Sequence, residues 1–181
     1  MKKNRKSKKV SEGMKTCFRE EVMPIEEEFQ DEEKTGFQSR IYANYFSLYL
    51  QATFWIETST AGLRVMFPFE VPDSKFGELY DLFNRLNNLR YVGSLWLDPD
   101  AGEISLHTGL YVSGDSLNMR QFKRTLNGLV WRACTFYDLI IRQISEERTA
   151  KDRVEEFKAL RLNLDDDQNE TVTQNENKYL H

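Results

Sequence analysis

The sequence predicts an α+β fold: one domain with an antiparallel sheet of about five strands and flanking helices. Three observations carry this expectation. Two runs of strand-forming residues fold back on themselves about turns that end in Gly, the pattern of β-hairpins. Longer stretches repeat apolar residues at helical spacing. Finally, 181 residues, 40% hydrophobic and 30% charged, suit one ordinary domain with tails rather than two.

The chain opens with six Lys and Arg between residues 2 and 9. No basic patch follows in the body, so residues 1–19 read as a flexible, solvated tail. The alternative is an arm for nucleic acid or an anionic membrane surface. Between Glu20 and Glu33 lie eight acidic residues and no basic one. Val22, Ile25 and Phe29 recur there at spacings of three and four, which predicts a helix over 23–33, with Pro24 starting or breaking it.

From residue 39 to 71 the composition turns to Tyr, Phe, Trp, Ile, Val and Thr. Residues 52–57 and 63–69 form the first predicted hairpin about Ser59-Thr-Ala-Gly62, with 40–50 as a preceding strand or a short helix. A helix then follows Val71-Pro-Asp-Ser, with Asp73 or Ser74 able to accept its first N–H groups. Its stripe is Phe76, Leu79, Tyr80, Phe83, Leu86 and Leu89, and Asn87 and Asn88 stand near its end. The second hairpin pairs 92–98 with 103–112 about Pro99-Asp-Ala-Gly102.

The last element is the longest. Leu117, Phe122, Leu126, Leu129, Val130, Ala133, Tyr137, Ile140, Ile141 and Ile144 keep a helical stripe, which weakens at 145–149 and resumes at Val154, Phe157 and Leu160. Residues 164–181 are polar and read as a disordered tail, which leaves 20–163 as the domain. Leu126, Val130 and Ile141 are expected in the core.

Alternation divides the strands into two faces. Phe54, Leu63, Val65, Phe67, Leu95, Leu97, Ile104 and Leu106 fall on an apolar face for the long helix to cover. Thr53, Trp55, Arg64, Met66, Ser94, Trp96, Ser105, His107 and Tyr111 fall on the other. That mixed face is expected to be covered in part by the acidic helix or by the helix over 76–89. Otherwise it is a partner surface, with Trp55, Met66, Trp96, His107 and Tyr111 as the binding residues.

Three segments in this order carry a family resemblance. Gly62-Leu-Arg-Val-Met-Phe-Pro-Phe-Glu-Val-Pro72 resembles the third strand of the YbjN family and the loop after it. Leu82-Phe-Asn-Arg-Leu-Asn-Asn88 is similar to that family's Asn-rich helix end, and Leu95-Trp-Leu-Asp-Pro-Asp-Ala-Gly-Glu-Ile-Ser-Leu106 to its second hairpin. The likeness spans residues 20–145. It implies a bacterial sensory-transduction regulator with a fold like that of type III secretion chaperones, often paired as dimers. The dimer helix would then carry Phe76, Leu79, Tyr80 and Phe83.

The residues themselves supply no catalytic set. Cys134 with His107 is the one formal thiol–imidazole pair, and Cys134 lies in an apolar stripe where a free thiol behaves as a small hydrophobe. Two Cys and two His give no zinc site, and Asp98 with Asp100 is too few ligands for calcium. Glu26–Glu28 and Asp165–Asp167 read as solvated charge runs, and Asn84, Asn87 and Asn88 as caps rather than ligand contacts. No apolar run is long enough for a transmembrane helix. The expectation is a cytoplasmic, homodimeric protein-binding module, chaperone-like or regulatory. It has no enzymatic activity, metal or cofactor, and a protein partner is favoured over nucleic acid. The alternative is a nucleic-acid or membrane-surface adaptor working through the basic segment.

Overall fold

The computed structural model describes residues 2–43, 45–89 and 92–159. Helix α1 runs Lys2–Glu20. This corrects the expected flexible tail over 1–19. Val10, Met14, Cys17 and Phe18 recur at helical spacing and are fully buried, so the basic residues decorate a helix whose other side is core. Even within the basic run Lys6 turns inward, its Nζ donating to Ser59 Oγ (3.0 Å) and to the Val112 carbonyl (3.1 Å).

Helix α1 ends in a Schellman arrangement. Met23 N–H donates to the Phe18 carbonyl (2.9 Å) and Val22 N–H to that of Arg19 (3.1 Å). Val22 sits at φ 57, a left-handed conformation that a β-branched residue adopts at a cost, and its side chain is 89% exposed. Val22→Gly should therefore stabilise the protein by about 1 kcal/mol, read as a higher urea midpoint. An unchanged or lower midpoint would show that the cap carries no such strain.

The acidic stretch is not the helix over 23–33 that its spacing suggests. It forms an edge strand, β1 (Ile25–Gln30). Pro24 follows the cap directly, and Asp31 then makes a tight turn: Asp31 Oδ1 accepts the N–H of Glu33 and of Lys34, each at 2.8 Å. The chain returns as β2 (Lys34–Tyr42), then β3 (Ser47–Trp55) and β4 (Thr60–Glu70). The β3–β4 turn lies earlier than predicted. Ser59 takes its left-handed position at φ 54, and Gly62 lies inside β4, opposite Thr53.

A 3-10 turn, Asp73–Lys75, leads into α2 (Phe76–Asn87), and neither Asp73 nor Ser74 caps it through a side chain. Asn88 keeps right-handed helical geometry rather than the left-handed cap conformation. Asn87 instead reaches β5: its Nδ2 donates to the Leu95 carbonyl (3.1 Å) and its Oδ1 accepts the Leu95 N–H (2.8 Å). Strands β5 (Ser94–Leu97) and β6 (Glu103–Tyr111) form the last hairpin. Asp98 Oδ1 ties its turn, and Gly102 at φ 67 completes it, a Cβ there falling 2.9 Å from the Val71 carbonyl oxygen.

The sheet is antiparallel, six strands in the order β1-β2-β3-β4-β6-β5. Helix α3 (Met119–Ser145) starts at Asn118, whose side chain accepts the Gln121 N–H. Helix α1 lies along β2 and β3, α3 along β4 and β6, and α2 beside β5. Between them sit Phe37, Leu50, Phe54, Val65, Leu106, Leu126, Phe136 and Ile140. A further helix, α4, is described over 150–159, and buries Ala150, Val154 and Phe157. The predicted contact of Leu160 and the tail 164–181 lie outside the described residues.

The phase of α3 differs from the expected one at its end. The buried positions step through Leu126, Leu129, Ala133, Phe136 and Ile140; Val130 is half-buried and Ile141 is exposed, each one residue off that line. Alternating steps of three and four keep one face toward the sheet, and 141 falls outside them. Leu126, fully buried, should cost about 2–5 kcal/mol when replaced by Ala. A loss below about 0.5 kcal/mol on denaturant titration would place the stripe elsewhere.

Candidate functional site

The helices described above all lie on one side of the sheet. The mixed face is therefore not covered by an acidic helix, which does not form, nor by α2, whose Leu79, Leu82, Phe83 and Leu86 point into the core. Registry places its side chains in rows. One row runs Arg40, Tyr49, Met66, Ser105, Trp96 across β2, β3, β4, β6 and β5. The next runs Gln38, Gln51, Arg64, His107, Ser94, and a third runs Phe29, Gly36, Thr53, Gly62, Gly109 from β1 to β6. The last runs Lys34, Trp55, Thr60, Tyr111.

All five residues assigned to a partner surface share this face. Trp96 is 64% exposed, Tyr111 75% and Trp55 41%, while Met66 and His107 are half-buried. They do not form one cluster. Trp55 on β3 and Trp96 on β5 are about 14 Å apart across the sheet, with β4 and β6 between them, and three rows, a further ~20 Å, apart along the strands. The Trp55 ring lies flat over Gly62, where a Cβ would come within 2.4 Å of it, and the Phe29 ring covers Gly36 in the same manner. Both glycines thus make room for rings, which is why neither belongs to a turn.

Sequence reasoning missed several members. Arg40 lies over the Tyr49 ring at 4.5 Å and pairs with Glu26 at 3.3 Å. Tyr49, Lys34 and Phe29 join the face only through the β1–β2–β3 registry. The Ser105–His107 contact was visible as a Ser-x-His alternation within one strand: Ser105 Oγ and His107 Nε2 are 2.6 Å apart. A nucleophilic role does not follow from it. Ser105 is only 3% exposed, and the charge acting on His107 is the cation Arg64 rather than a carboxylate.

Burial, reinforced by Arg64, holds His107 below the ordinary imidazole value of 6.5. The unfolded chain therefore takes up a proton that the folded chain resists, so stability falls as pH drops through about 6.5 toward the lower folded value. His107→Gln keeps a partner for Ser105 and should remove this share of the acid loss. Urea midpoints at about pH 7 and about pH 5.5 should then converge more closely for the variant than for the parent. Equal pH dependence in the two proteins would show that the imidazole titrates as it does in water.

The remaining candidates separate. Cys134 packs against the core on α3, where burial raises its thiol pKa, while His107 stands on the opposite face of the sheet. Cys17 and Cys134 are both free thiols. Asp98 serves its turn through backbone N–H groups that lower its carboxyl pKa. Glu26, Glu27 and Glu28 are exposed on β1, while Asp165–Asp167 lie outside the described residues. Among the described residues no three His, Cys, Asp or Glu side chains converge as metal ligands would, and no helix is long and apolar enough to cross a membrane. Of the expected dimer helix, Leu79 and Phe83 are buried in this chain's own core and Phe76 is half-buried against it; only Tyr80 is exposed, its ring 6.4 Å from that of Phe76.

No curated protein matches the chain. Among solved structures, a chain of the ExsC-ExsE complex superposes with a TM-score of 0.52 at 17% identity, over 74% of this chain and 94% of that one. A chain of the HopA1-SchA chaperone-effector complex aligns with a TM-score of 0.44 at 16% identity, over 69% of this chain and 90% of that one. The first likeness is one of fold: an antiparallel sheet with helices similar to that of type III secretion chaperones. The YbjN family model, "Putative bacterial sensory transduction regulator", matches residues 32–142, from the end of the β1–β2 turn to the last turn of α3. That span holds the open sheet face from β2 onward and most of the core beneath it, and on it the chain belongs to the YbjN family.

Proposed function

We propose that this chain is a non-enzymatic protein-binding module, chaperone-like or regulatory, whose partner meets the open face of the sheet. The observation that carries the reading is a face that no described helix covers, with Trp55, Trp96, Tyr42, Tyr49 and Tyr111 set among polar groups. Interface cores are enriched in these residue types, and a face with no partner seldom carries so many. Trp55 and Trp96 are its anchors, with Met66, His107 and Tyr111 around them. The fold shared with a chain of the ExsC-ExsE complex supports the reading, as does family membership. The two free thiols agree with the reducing cytoplasm of a bacterium. The module is a homodimer, with the exposed Tyr80 of α2 as its contact and Phe76 beside it.

The test is affinity capture from native lysate with full-length bait and a Trp55→Ala/Trp96→Ala bait of unchanged circular dichroism. A protein identified with the first and lost with the second supports the face, because truncating a true anchor costs about 2 kcal/mol or more of binding. A protein held equally by both baits refutes it. Recovery that disappears with nuclease would favour the basic surface of α1, where Arg5, Lys8 and Lys9 are exposed. Sedimentation equilibrium of Tyr80→Asp tests the dimer contact separately: an unchanged mass removes α2 from it.

A further inference from the structure

The open face is not flat. Near its centre is a depression of about 260 Å³ lined by Lys34, Thr53, Trp55, Gly62, Arg64 and His107, among others. Its floor is the sheet around Thr53 and Gly62, and the Trp55 ring, packed over Gly62, forms one wall.

The charge around this depression has one sign. Lys34 and Arg64 line it, and no acidic residue does. Among the described residues Lys34 makes no ion pair. Arg64 has one, a long contact from Nη2 to Glu103 at 3.8 Å, and Glu103 is solvent-exposed. The Nε of Arg64 is buried with no hydrogen-bond partner. Asp98 acts on Arg64 and Asp31 on Lys34 through space rather than as ion pairs. Asp31 is occupied by the N–H groups of its own turn, and Glu27 stands at the far end of the Gln38–Gln51–Arg64 row. In a chain of net charge −4, two cations line a tryptophan-walled hollow that no acidic side chain lines, which leaves it short of an anion.

We infer that this depression receives a carboxylate, the Asp or Glu side chain of an extended acidic segment in the protein partner, with Arg64 as its donor and Lys34 adding positive charge at the other end of the hollow. An apolar residue of the same segment lies against the Trp55 ring. The inference rests on the protein-binding reading above and narrows it, since it names the chemistry of what the face selects. An arginine fork fits a planar carboxylate better than a lysine does, and a partly desolvated pair of this kind discriminates strongly against a neutral isostere.

The experiment pans a random dodecapeptide library displayed on phage against the full chain, then measures a selected peptide by fluorescence polarisation. Selected sequences should carry Asp or Glu beside an apolar or aromatic residue. Replacing that acid by Asn or Gln should weaken binding about tenfold or more. The Arg64→Gln chain should lose this preference while still binding the peptide, and Lys34→Gln should reduce it. Selected peptides without acidic enrichment would overturn the inference, as would an Arg64→Gln chain that still prefers the acid. If such peptides are nevertheless lost on Trp55→Ala, the face remains a protein-binding surface and only the carboxylate assignment falls. If no peptide is retained by the full chain, the inference falls. If amidating the peptide's C-terminus, rather than replacing its acidic side chain, abolishes binding, the side-chain assignment is overturned in favour of a chain end.

Discussion

Removing residues 2–20 should abolish cooperative folding. The deletion strips four fully buried side chains, Val10, Met14, Cys17 and Phe18, from the sheet and α3. Phe18 alone, packed edge-on against Phe37 at 4.7 Å, should cost about 3–5 kcal/mol as Phe18→Ala. Stabilities of whole domains are about 5–15 kcal/mol, so loss of the helix exceeds what most domains can spare. A sigmoidal urea transition at the parent's midpoint in the truncated protein would show that α1 is an appendage. Shortening the chain only to residue 9 is milder, yet it removes the Lys6 contacts and the buried Ser7. The stability should still drop measurably.

Arg132→Met should be among the most damaging single substitutions, at about 3–5 kcal/mol. Arg132 is 1% exposed, and its guanidinium donates to the carbonyls of Leu86 (3.3 Å), Val92 (2.7 Å) and Gly93. It thereby joins the end of α2 and the entry to β5 onto α3, and its Cζ lies 4.8 Å from the centre of the Phe136 ring. Burial lowers its pKa to about 10, which leaves it charged at neutral pH. Methionine matches much of the volume but leaves the three carbonyls without this donor in a dry site. Arg132→Lys should rescue little, since one ammonium cannot reproduce the planar fork. Chemical denaturation of both variants decides it, and a loss below about 1 kcal/mol would mean that water replaces the guanidinium.

Much of this architecture was readable because its signals are local. The hairpin from Ser94 to Tyr111 shows in alternation and in Asp98 and Gly102, and α2 and α3 show in their stripes. The failures came where composition masked pattern. In α1 the buried Val10, Met14, Cys17 and Phe18 begin only after a dense run of lysines, and charge density was read as disorder. In β1 the spacing from Ile25 to Phe29 fits one helical turn, yet a bulge between Ile25 and Glu27 turns Ile25 to the core and Phe29 to the open face. The turn chemistry of Asp31, not the spacing, decides between helix and strand. The open face was legible as a set of residues, but its hollow was not. That feature depends on Trp55 of β3 packing over Gly62 of β4, with Lys34 of β2 and His107 of β6 beside them, and no single strand contains that information.

The position of α1 ahead of the sheet and α3 in the chain bears on the order of events during synthesis. Its far side is closed by partners made much later: Cys17 Sγ lies 3.8 Å from the Met119 carbonyl, Lys123 pairs with Glu20 and Glu21, and Lys6 reaches the Val112 carbonyl, 106 positions on. At about 5–20 residues per second, a ribosome needs roughly 5–20 s to supply them. Through that interval the helix can lie against β2 and β3 but keeps an uncovered apolar flank outside the exit tunnel. A helix synthesised before the sheet is thus among the last elements to be enclosed, and the nascent chain stays aggregation-prone until α3 emerges.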